Sequence, residues 1–504
     1  MKQNHELLEM TQMVPAVTAQ ASIEGAMTVP EGMPDMASVL SVEARAQIES
    51  AEPVENGVMM EGEAEFTIIY TDAENEPYSF TMTTGFKHSM QMPGAKPGMD
   101  ADVDARITEL SYTLKDGRTI SSQAVVEIEV SMQSEEQESV LSSAADEALQ
   151  VQTRRVQVPG KCCTASAVHL ARDDAAIPQG EPRARRVLFC GGIARVLASV
   201  FEQGKLIVRG TLRVTIIYAT GEKRRPIVQF VHNIPFEHML TMEGCRECAR
   251  KRVRARVRDS DCRIEDEGRV LRIESTVFIN GRCCNLLLAE TIVDAYSTKQ
   301  KIGLDTVDMS WQSEAAEADG RLSMREAAPV PENMPAMGEL LFVSARPVVT
   351  AGKAMENSVS VEGLVQCRII YTSDEGKMAS YAVDAPFVIN MTAEGAGEGM
   401  GVAAEVVVEQ AGVGPSGELR IELSCHATVT KEEKETAVSA IRDEGLLEAA
   451  SGIAVHFAGE SDTFWSVAKE YAVTMEQLMD TNPQLSEGRF SSGQKVTIFK
   501  PYER

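Results

Sequence analysis

The middle of the chain alternates large apolar and polar residues with the two-residue period of a half-buried antiparallel strand. The clearest run covers residues 212–216, inside an apolar stretch that begins after a turn at Gly204 and ends at Tyr218. Comparable runs occur at residues 58–70, 117–130, 193–200, 226–231, 234–240, 270–279, 359–371 and 417–429. The pattern predicts a mainly β protein with modules of five to seven antiparallel strands, each folded as a small sandwich or barrel.

Three landmarks recur at constant spacing and indicate a tandem array of one module. A glycine follows the second proline of Pro-x-x-x-Pro by 28 residues, and Ile-Ile-Tyr ends 8 residues after that glycine. The copies are Pro30, Pro34, Gly62, Tyr70; Pro178, Pro182, Gly210, Tyr218; and Pro331, Pro335, Gly363, Tyr371. We expect the glycine to mark a bulge or a close approach. We expect the tyrosine to pack its ring and bind backbone through its hydroxyl.

The repeat period of 148 and then 153 residues predicts three β modules, at residues 1–150, 151–304 and 305–447, and a different domain at residues 448–504. A repeated module favours binding or assembly over a single active site. Segments rich in alanine, glutamate and serine lie near the boundaries. We expect residues 135–150 and 313–332 to be linkers or short exposed helices, and residues 439–451 to form a short acidic helix.

The last fifty residues predict a miniature strand–helix–helix–strand domain. Asp462 is placed to cap the first helix, and an apolar face at helical spacing follows it: Phe464, Val467, Ala468 and Tyr471. Thr474 begins the second helix, with Gln477 three residues later as in a capping box, and Pro483 ends it. This domain is small and of the α+β class.

A formal charge of −26 makes nucleic-acid binding by the whole chain unfavourable, because phosphate would be repelled. The charge is uneven, since residues 183–282 hold 21 Lys and Arg against 11 Asp and Glu. Residues 252–258 alternate arginine with small or apolar residues, as a strand with one basic face does. That face is either solvated or docked against an acidic module or partner. Nucleic acid is disfavoured because no aromatic residues alternate with the arginines.

No segment approaches the roughly 18 apolar residues that cross a bilayer, so we expect no membrane insertion. The first residues lack the apolar core of a signal peptide, so we expect a cytoplasmic protein with ten reduced cysteines. Cys245-x-x-Cys248 has the spacing of a zinc ligand pair, and Cys262, Cys283 and Cys284 follow at irregular intervals. Because the other two modules lack counterparts, ordinary thiols are the favoured interpretation, and we predict no metal and no cofactor.

Catalysis is disfavoured by the absence of any arrangement that would support it. The seven histidines are scattered singly, and neither a Gly-x-x-x-x-Gly-Lys phosphate loop nor a Gly-x-Ser-x-Gly elbow occurs. We therefore expect a protein that is not an enzyme.

The modules resemble the SPOCS domain of sporulating Firmicutes. The residues that carry the resemblance are Pro34-Asp35-Met36 before Val39-Leu40, the strand at residues 62–70, and their equivalents in the other copies. Asp294-Ala295-Tyr296-Ser297 also resembles the link of that family to its next segment.

Residues 455–499 resemble a LysM domain through Asp462-Thr463-Phe464-Trp465, Thr481-Asn482-Pro483 and Ser492-Gly493-Gln494. Domains of this family hold N-acetylglucosamine-containing glycan in a shallow groove. Carried over by position, the groove that binds glycan or a partner comprises Gly459, Asp462, Thr463, Asn482, Pro483 and Leu485. Glu460-Ser461 replaces the usual Pro-Gly before Asp-Thr, which adds charge and bulk where the sugar approaches and favours protein contact.

The combination resembles the spore-coat morphogenetic proteins of clostridia and bacilli. The resemblance implies a non-catalytic adaptor in the mother-cell cytoplasm, at the forespore surface. Its LysM domain would bind the coat scaffold ATPase, and its β modules would self-associate or recruit other coat proteins. The alternative is a peptidoglycan-binding protein that holds glycan through LysM and uses the β modules as a spacer.

Overall fold

The computed structural model describes residues 2–414, 417–447, 451–483 and 490–500. Antiparallel strands dominate it. The first repeat contains β1 (Lys2–Thr28), β2 (Ser38–Val54), β3 (Gly57–Thr71), β4 (Pro77–Gln91), β5 (Asp100–Leu114) and β6 (Thr119–Ala145). These strands form two three-stranded sheets, in the orders β2-β3-β4 and β1-β6-β5. Phe66 of one sheet and Val126 of the other belong to the same buried core, so each repeat is a sandwich.

The second and third repeats follow the same plan. The second contains β7 (Leu149–Ala176), β8 (Arg186–Glu202), β9 (Lys205–Ala219), β10 (Ile227–Thr241), β11 (Arg250–Glu265) and β12 (Val270–Ser297), with a short 3-10 turn at Asp266–Gly268. The third contains β13 (Gln300–Ala327), β14 (Met337–Met355), β15 (Ser358–Ser373), β16 (Met378–Thr392), β17 (Gly401–Val413) and β18 (Glu418–Leu446). The predicted mainly β class and the six-strand modules are confirmed.

The expected linkers and helices between repeats are strands instead. Residues 135–145 continue β6, residues 313–327 lie in β13, and β18 extends to Leu446. Strand β1 pairs with β6 from Lys2↔Ala145 to Thr28↔Thr119, and this ladder satisfies the backbone of the polar segment. The polar composition of residues 135–145 did not indicate a strand, because few apolar residues are needed to bury this segment. Val140 is buried against the other repeats rather than in the core of its own repeat.

The recurring tyrosine closes each repeat onto its entry segment. Each hydroxyl donates to the carbonyl oxygen of the second proline of the motif: Tyr70 to Pro34 at 3.0 Å, Tyr218 to Pro182 at 3.1 Å and Tyr371 to Pro335 at 2.7 Å. Burial raises the pKa of Tyr70 and of Tyr218 to about 12. The predicted role of the tyrosine is confirmed, and the bond explains the constant spacing of the two landmarks.

The recurring glycine is a point of close approach, as expected. A Cβ at Gly363 would lie 2.2 Å from Val348 O and 2.6 Å from Phe387 Cζ. Gly62 and Gly210 face an equivalent carbonyl and phenylalanine. A register shift in the neighbouring strand lies opposite the glycine, between Val349 and Ala351 in the third repeat. The bulge therefore belongs to the neighbouring strand, and the glycine makes room for it.

The three repeats share apolar clusters to which every repeat contributes. In Ile-Ile-Tyr of β3, Ile68 and Tyr70 enter the core of the repeat, whereas Ile69 points to the opposite face. One shared cluster collects these outward residues from all repeats: Leu40, Ile69, Leu188, Ile217, Ala219, Ile227, Phe342, Ile370 and Met378. A second shared cluster includes Leu8, Val156 and Trp311. The sandwiches therefore pack against one another as one body.

Ion pairs also join the repeats to one another. Arg254 Nη1 lies 2.6 Å from Asp102 Oδ2, and Arg256 Nε lies 3.2 Å from Asp104 Oδ1, which joins β11 to β5. Arg213 Nη1 lies 3.1 Å from Glu409 Oε2, which joins the second repeat to the third. Of the two interpretations of the arginine-rich strand, docking against an acidic module is therefore the one that the structure supports.

The expectation that all ten cysteines are reduced is wrong for two of them. Cys162 of β7 and Cys284 of β12 are register partners and form a disulfide, with Cα atoms 4.1 Å apart. The other eight cysteines are free thiols. Direct pairing of adjacent strands places the two sulfur atoms on one face, which the linear sequence does not show.

The close approach at the recurring glycine predicts a large effect of one methyl group. Gly363→Ala should lower the free energy of unfolding by about 1–3 kcal/mol, because the new methyl group forces the Val348 carbonyl and the Phe387 ring to shift. Gly412→Ala in the same repeat is the matched control, since nothing lies within 4 Å of its Cβ position. Urea denaturation followed by circular dichroism measures both, and equal effects would contradict the interpretation.

The contact between β11 and β5 predicts a measurable coupling between repeats. A double-mutant cycle on Asp102→Asn and Arg254→Met should give a coupling energy of about 1 kcal/mol that decreases at high salt, because both side chains are mostly buried. The exposed pair Lys87 and Glu61 within the first repeat is the control and should give almost none. A coupling no larger than that of the control would count against an energetic role for this contact.

Candidate functional site in the C-terminal domain

The C-terminal domain is a two-stranded sheet covered by two helices. It contains β19 (Gly452–Phe457), α1 (Phe464–Glu470), α2 (Met475–Thr481) and β20 (Lys495–Lys500). The strands are antiparallel, from Gly452↔Lys500 to Phe457↔Lys495. The buried core under the helices includes Val467, Leu478, Val496 and Ile498. The predicted strand–helix–helix–strand order is confirmed.

The helix caps differ from the prediction at one end. Thr463, and not Asp462, caps α1: its Oγ1 accepts from Ser466 N at 3.1 Å, and Ser466 Oγ accepts from Thr463 N at 2.9 Å. Thr474 caps α2 as predicted, with reciprocal bonds to Gln477 of 3.1 and 3.0 Å. The expected cap at Asp462 is therefore wrong by one residue, because the capping box needs a hydroxyl three residues before Ser466.

Asp462 instead closes the loop that precedes α1. Its carboxylate accepts from Gly459 N and from His456 Nε2, each at 2.8 Å. The Gly459 amide and the His456 side chain hold the pKa of Asp462 below its usual value. The carboxylate is thus ionised at neutral pH and already occupied by partners of its own domain.

Asn482 has a structural role at the other side of the predicted groove. It is buried, and its Nδ2 donates to Leu478 O at 2.8 Å and to Thr497 O at 2.6 Å, while its Oδ1 accepts from Thr497 N at 2.8 Å. These bonds fasten the end of α2 to β20. Pro483 beside it is exposed, and Leu485 lies outside the described residues.

Of the six predicted groove residues, Gly459, Thr463 and Pro483 are exposed. Asp462 and Asn482 are engaged in the domain itself. The groove offers mainly exposed backbone to a ligand, because the Thr463 hydroxyl caps α1 and the side chains of Asp462 and Asn482 are bound within the domain.

The C-terminal domain is docked on the second repeat through residues at the end of β12. Asp294 accepts from Trp465 Nε1 at 2.7 Å and pairs with Lys469 Nζ at 2.6 Å. Tyr296 donates to Val473 O at 2.8 Å, and its ring meets that of Trp465 edge-on at 4.9 Å. Burial, with the charge of Asp294 adding to it, raises the pKa of Tyr296 to about 12.

These docking residues were visible in the sequence without a role. Asp294 and Tyr296 belong to the short segment that resembles a family link, and this segment forms the end of β12. The sequence signal for a docking site was a large aromatic residue and an acid at the end of an alternating strand. The partner helix lies about 170 residues further along the chain, so the contact itself was beyond sequence reasoning.

The face of the sheet that points away from the helices is apolar and exposed. It presents Ile453, Val455 and Phe457 of β19 and Phe499 of β20, with exposed fractions of 74%, 44%, 68% and 50%. We call these four residues the outer sheet face. Their neighbours Ala454, Val496 and Ile498 point to the helices, as the two-residue period requires. Ile453 and Phe499 are register partners, whereas Thr497 and Lys495 lie opposite Val455 and Phe457 on the same face. Four exposed large apolar side chains on one face of so small a domain indicate an interaction site.

The described part of the chain contains no ready-made metal centre and no membrane-spanning helix. No group of three or more His, Cys, Asp or Glu side chains there is arranged to hold a metal ion. None of its helices combines the length and the apolar character needed to cross a membrane.

These features define the class first: three packed β-sandwich repeats that carry a small α+β binding domain. Comparison with family models makes the class specific. The model described as "SipL, SPOCS domain" matches residues 35–115, 184–265 and 336–414, and the model described as "LysM domain" matches residues 459–499. No curated protein and no solved structure matches the chain.

The chain therefore carries three SPOCS domains and a C-terminal LysM domain, as the sequence motifs indicated. Each SPOCS match covers the strands from β2 to β5 or their equivalents, and the long first and last strands of each repeat lie outside it. Both kinds of domain are non-catalytic binding domains. Together they define a sporulation-associated protein of a peptidoglycan-binding type.

The Asp294 contact predicts that one carboxylate holds the LysM domain in place. In a Trp311→Phe background, Asp294→Ala should weaken docking by about 2 kcal/mol, because it removes two charge-assisted hydrogen bonds. The emission of Trp465 should move to longer wavelength and be quenched more strongly by acrylamide. Asp305→Ala, which removes an exposed pair with Arg442, is the control. Unchanged Trp465 quenching in Asp294→Ala would refute this role.

Proposed function

We propose that this protein is a non-catalytic adaptor in assembly of the spore coat. In this proposal it works in the mother-cell cytoplasm at the forespore surface, where its LysM domain binds the coat scaffold ATPase. Its SPOCS repeats then present further surfaces to other coat proteins. The observation that carries the proposal is the outer sheet face of the LysM domain, whose four exposed apolar side chains suit a protein partner.

The chemistry of the predicted groove supports protein contact over sugar contact. A glycan is recognised through many hydrogen bonds, and the groove has engaged its two strongest hydrogen-bonding side chains, Asp462 and Asn482, in the domain itself. Exposed Glu460 adds a negative charge beside it. The outer sheet face is the opposite kind of surface, since burying its side chains removes apolar area from water.

The docking of the LysM domain supports the same assignment. Trp465 and Lys469 of α1 are committed to Asp294, so that side of α1 faces the second repeat. The outer sheet face lies on the other side of the sheet from both helices and stays exposed in the docked arrangement. The SPOCS body therefore acts as a rigid support that presents one face of the LysM domain.

Self-association through the arginine-rich strand is not part of this proposal. Arg254 and Arg256 already pair with Asp102 and Asp104 of the same chain. An intermolecular contact by the same strand would have to break those pairs, so partner binding is assigned to other surfaces.

Binding of peptidoglycan is the second candidate function. It is favoured by the LysM match at residues 459–499 and by the exposure of Gly459, Thr463 and Pro483 at the predicted groove. It would leave the outer sheet face without a role.

The deciding experiment uses the full chain in two assays: capture by the purified coat scaffold ATPase of the same organism, and sedimentation with purified peptidoglycan. Phe457→Asp should reduce capture by the ATPase at least tenfold, since it replaces a large apolar side chain of the proposed contact with a charge. Because the Phe457 side chain is 68% exposed, the variant should keep its fold, which circular dichroism checks.

Leu197→Asp is the matched control, because Leu197 is 63% exposed on the second repeat, and it should be captured like the unchanged protein. Capture that Phe457→Asp leaves intact would reject the outer sheet face as the site. Sedimentation with peptidoglycan in the absence of any capture would reject the adaptor and establish the second candidate.

A further inference from the structure

Two cysteines of the second repeat face each other on neighbouring strands. Cys163 of β7 and Cys283 of β12 are register partners, so their side chains lie on the same face of the sheet. Cys283 is buried and belongs to the core of the repeat, with Cys163 packed beside it. Their sequence neighbours Cys162 and Cys284 point to the opposite face, where they form the disulfide. Because successive side chains of a strand point to opposite faces, the two thiols lie on one face of the sheet and the disulfide lies on the other.

The loop between β10 and β11 brings two more thiols to this pair. A turn bond from Cys245 N to Met242 O and a bond from Ala249 N to Cys284 O fold the loop against β12. Strand β11 then begins at Arg250, which pairs with Cys284. The Cys245-x-x-Cys248 segment consequently lies at the end of the sheet that carries Cys163 and Cys283.

The electrostatic coupling of the four groups agrees with this placement. Burial, with contributions from the thiols of Cys163 and Cys248, raises the pKa of Cys245 to about 11. Burial likewise raises the pKa of Cys283, with contributions from Cys248 and Cys245. Four thiols that influence one another are close in space.

Comparison of the three repeats shows what these cysteines replace. By their turn bonds, Cys245 corresponds to Ala95 and Ala396, which are buried in the same loop of the other repeats. Three residues later the other repeats have glycines with positive φ, Gly98 at 87° and Gly399 at 80°, where this repeat has Cys248. The second repeat has thus exchanged an alanine and a turn glycine for a pair of cysteines at the spacing of a metal-binding loop.

We propose that the second SPOCS repeat binds one zinc ion through Cys163, Cys245, Cys248 and Cys283. Four thiolates around a tetrahedral ion are the ligand set of structural zinc sites, and a Cys-x-x-Cys pair from a loop with two ligands from neighbouring strands supplies it. The other free cysteines of this repeat, Cys190 and Cys262, are not part of the set. The ion would cross-link the β10–β11 loop to the sheet.

Binding requires a local rearrangement of the thiols. In the metal-free arrangement Cys245 Sγ donates to Glu247 O at 3.2 Å and Cys248 Sγ donates to Arg250 O at 3.1 Å. In this arrangement no three His, Cys, Asp or Glu side chains of the described residues are placed to hold a metal ion. Rotation of the two loop side chains towards Cys163 and Cys283 releases both bonds, and four protons leave to solvent as four thiolates bind the ion.

The local charge suits the product. A zinc ion with four thiolates carries two negative charges, and the loop and the first residues of β11 hold three basic residues, Arg246, Arg250 and Lys251, against the two acids Glu243 and Glu247. The site also adjoins the start of the strand whose Arg254 docks on the first repeat. Fixing the loop therefore fixes the beginning of a strand that joins two repeats.

Cobalt(II) titration of the full chain under reducing conditions tests the proposal, because tetrahedral cobalt thiolates absorb in the near ultraviolet and visible. We expect saturation at one ion per chain and displacement by zinc. Cys245→Ser should weaken cobalt binding at least about tenfold and diminish the thiolate absorption. Cys262→Ser, a buried thiol of the same repeat outside the set, should bind like the unchanged protein.

Cys283→Ser alone would be ambiguous, because Cys283 is fully buried and its loss could disturb the core. Cys245 lies in a loop, so circular dichroism should show an intact fold, and zinc should raise the melting temperature of the unchanged protein but not of Cys245→Ser. Absence of the thiolate absorption, or equal cobalt binding by Cys245→Ser and Cys262→Ser, would overturn the proposal.

Discussion

The architecture depends on a strand that is apolar on both faces. In each Ile-Ile-Tyr motif the first isoleucine and the tyrosine fill the core of the repeat, whereas the middle isoleucine enters a cluster shared by three repeats. Burying one such side chain stabilises by about 1.5–3 kcal/mol, and here the gain is available only when the repeats are together. A single repeat would leave Ile69 or its equivalents in water. The three sandwiches are therefore parts of one body and not independent beads.

The same logic explains the long outer strands. A strand such as β6 is longer than one sandwich needs, and its second half reaches the cluster formed by Val140, Val156 and Trp311 from different repeats. Ion pairs between β11 and β5 align the second repeat with the first and add electrostatic complementarity to this apolar contact. They use part of the basic surplus of the second repeat, Arg254 and Arg256, against Asp102 and Asp104 of the first.

The LysM domain is an extension of this body. Tyr296, from the last strand of the second repeat, belongs to the LysM core, and Asp294 binds the first helix. One side of the domain is thus used for attachment, and the outer sheet face remains for a partner. The division of surfaces connects the fold to the proposed adaptor role, since a rigidly held domain presents its free face without the entropic cost of ordering a linker.

The sequence by itself determined the class and the local structure, because these depend on short-range patterns. Alternation predicted the strands, the spacing of Pro34 and Tyr70 predicted the repeat, and Thr474 with Gln477 predicted a helix start. Contacts between distant segments were decided only in the tertiary structure. The linkers expected at residues 135–150 and 313–332 became strands for two reasons. Val140 and Leu141 are buried in clusters shared with other repeats, whereas Ala318 belongs to the core of its own repeat. Likewise, Asp294 proved a docking residue because its partners lie more than 170 residues away, and Asn482 proved structural because folding brings it against Thr497 of β20.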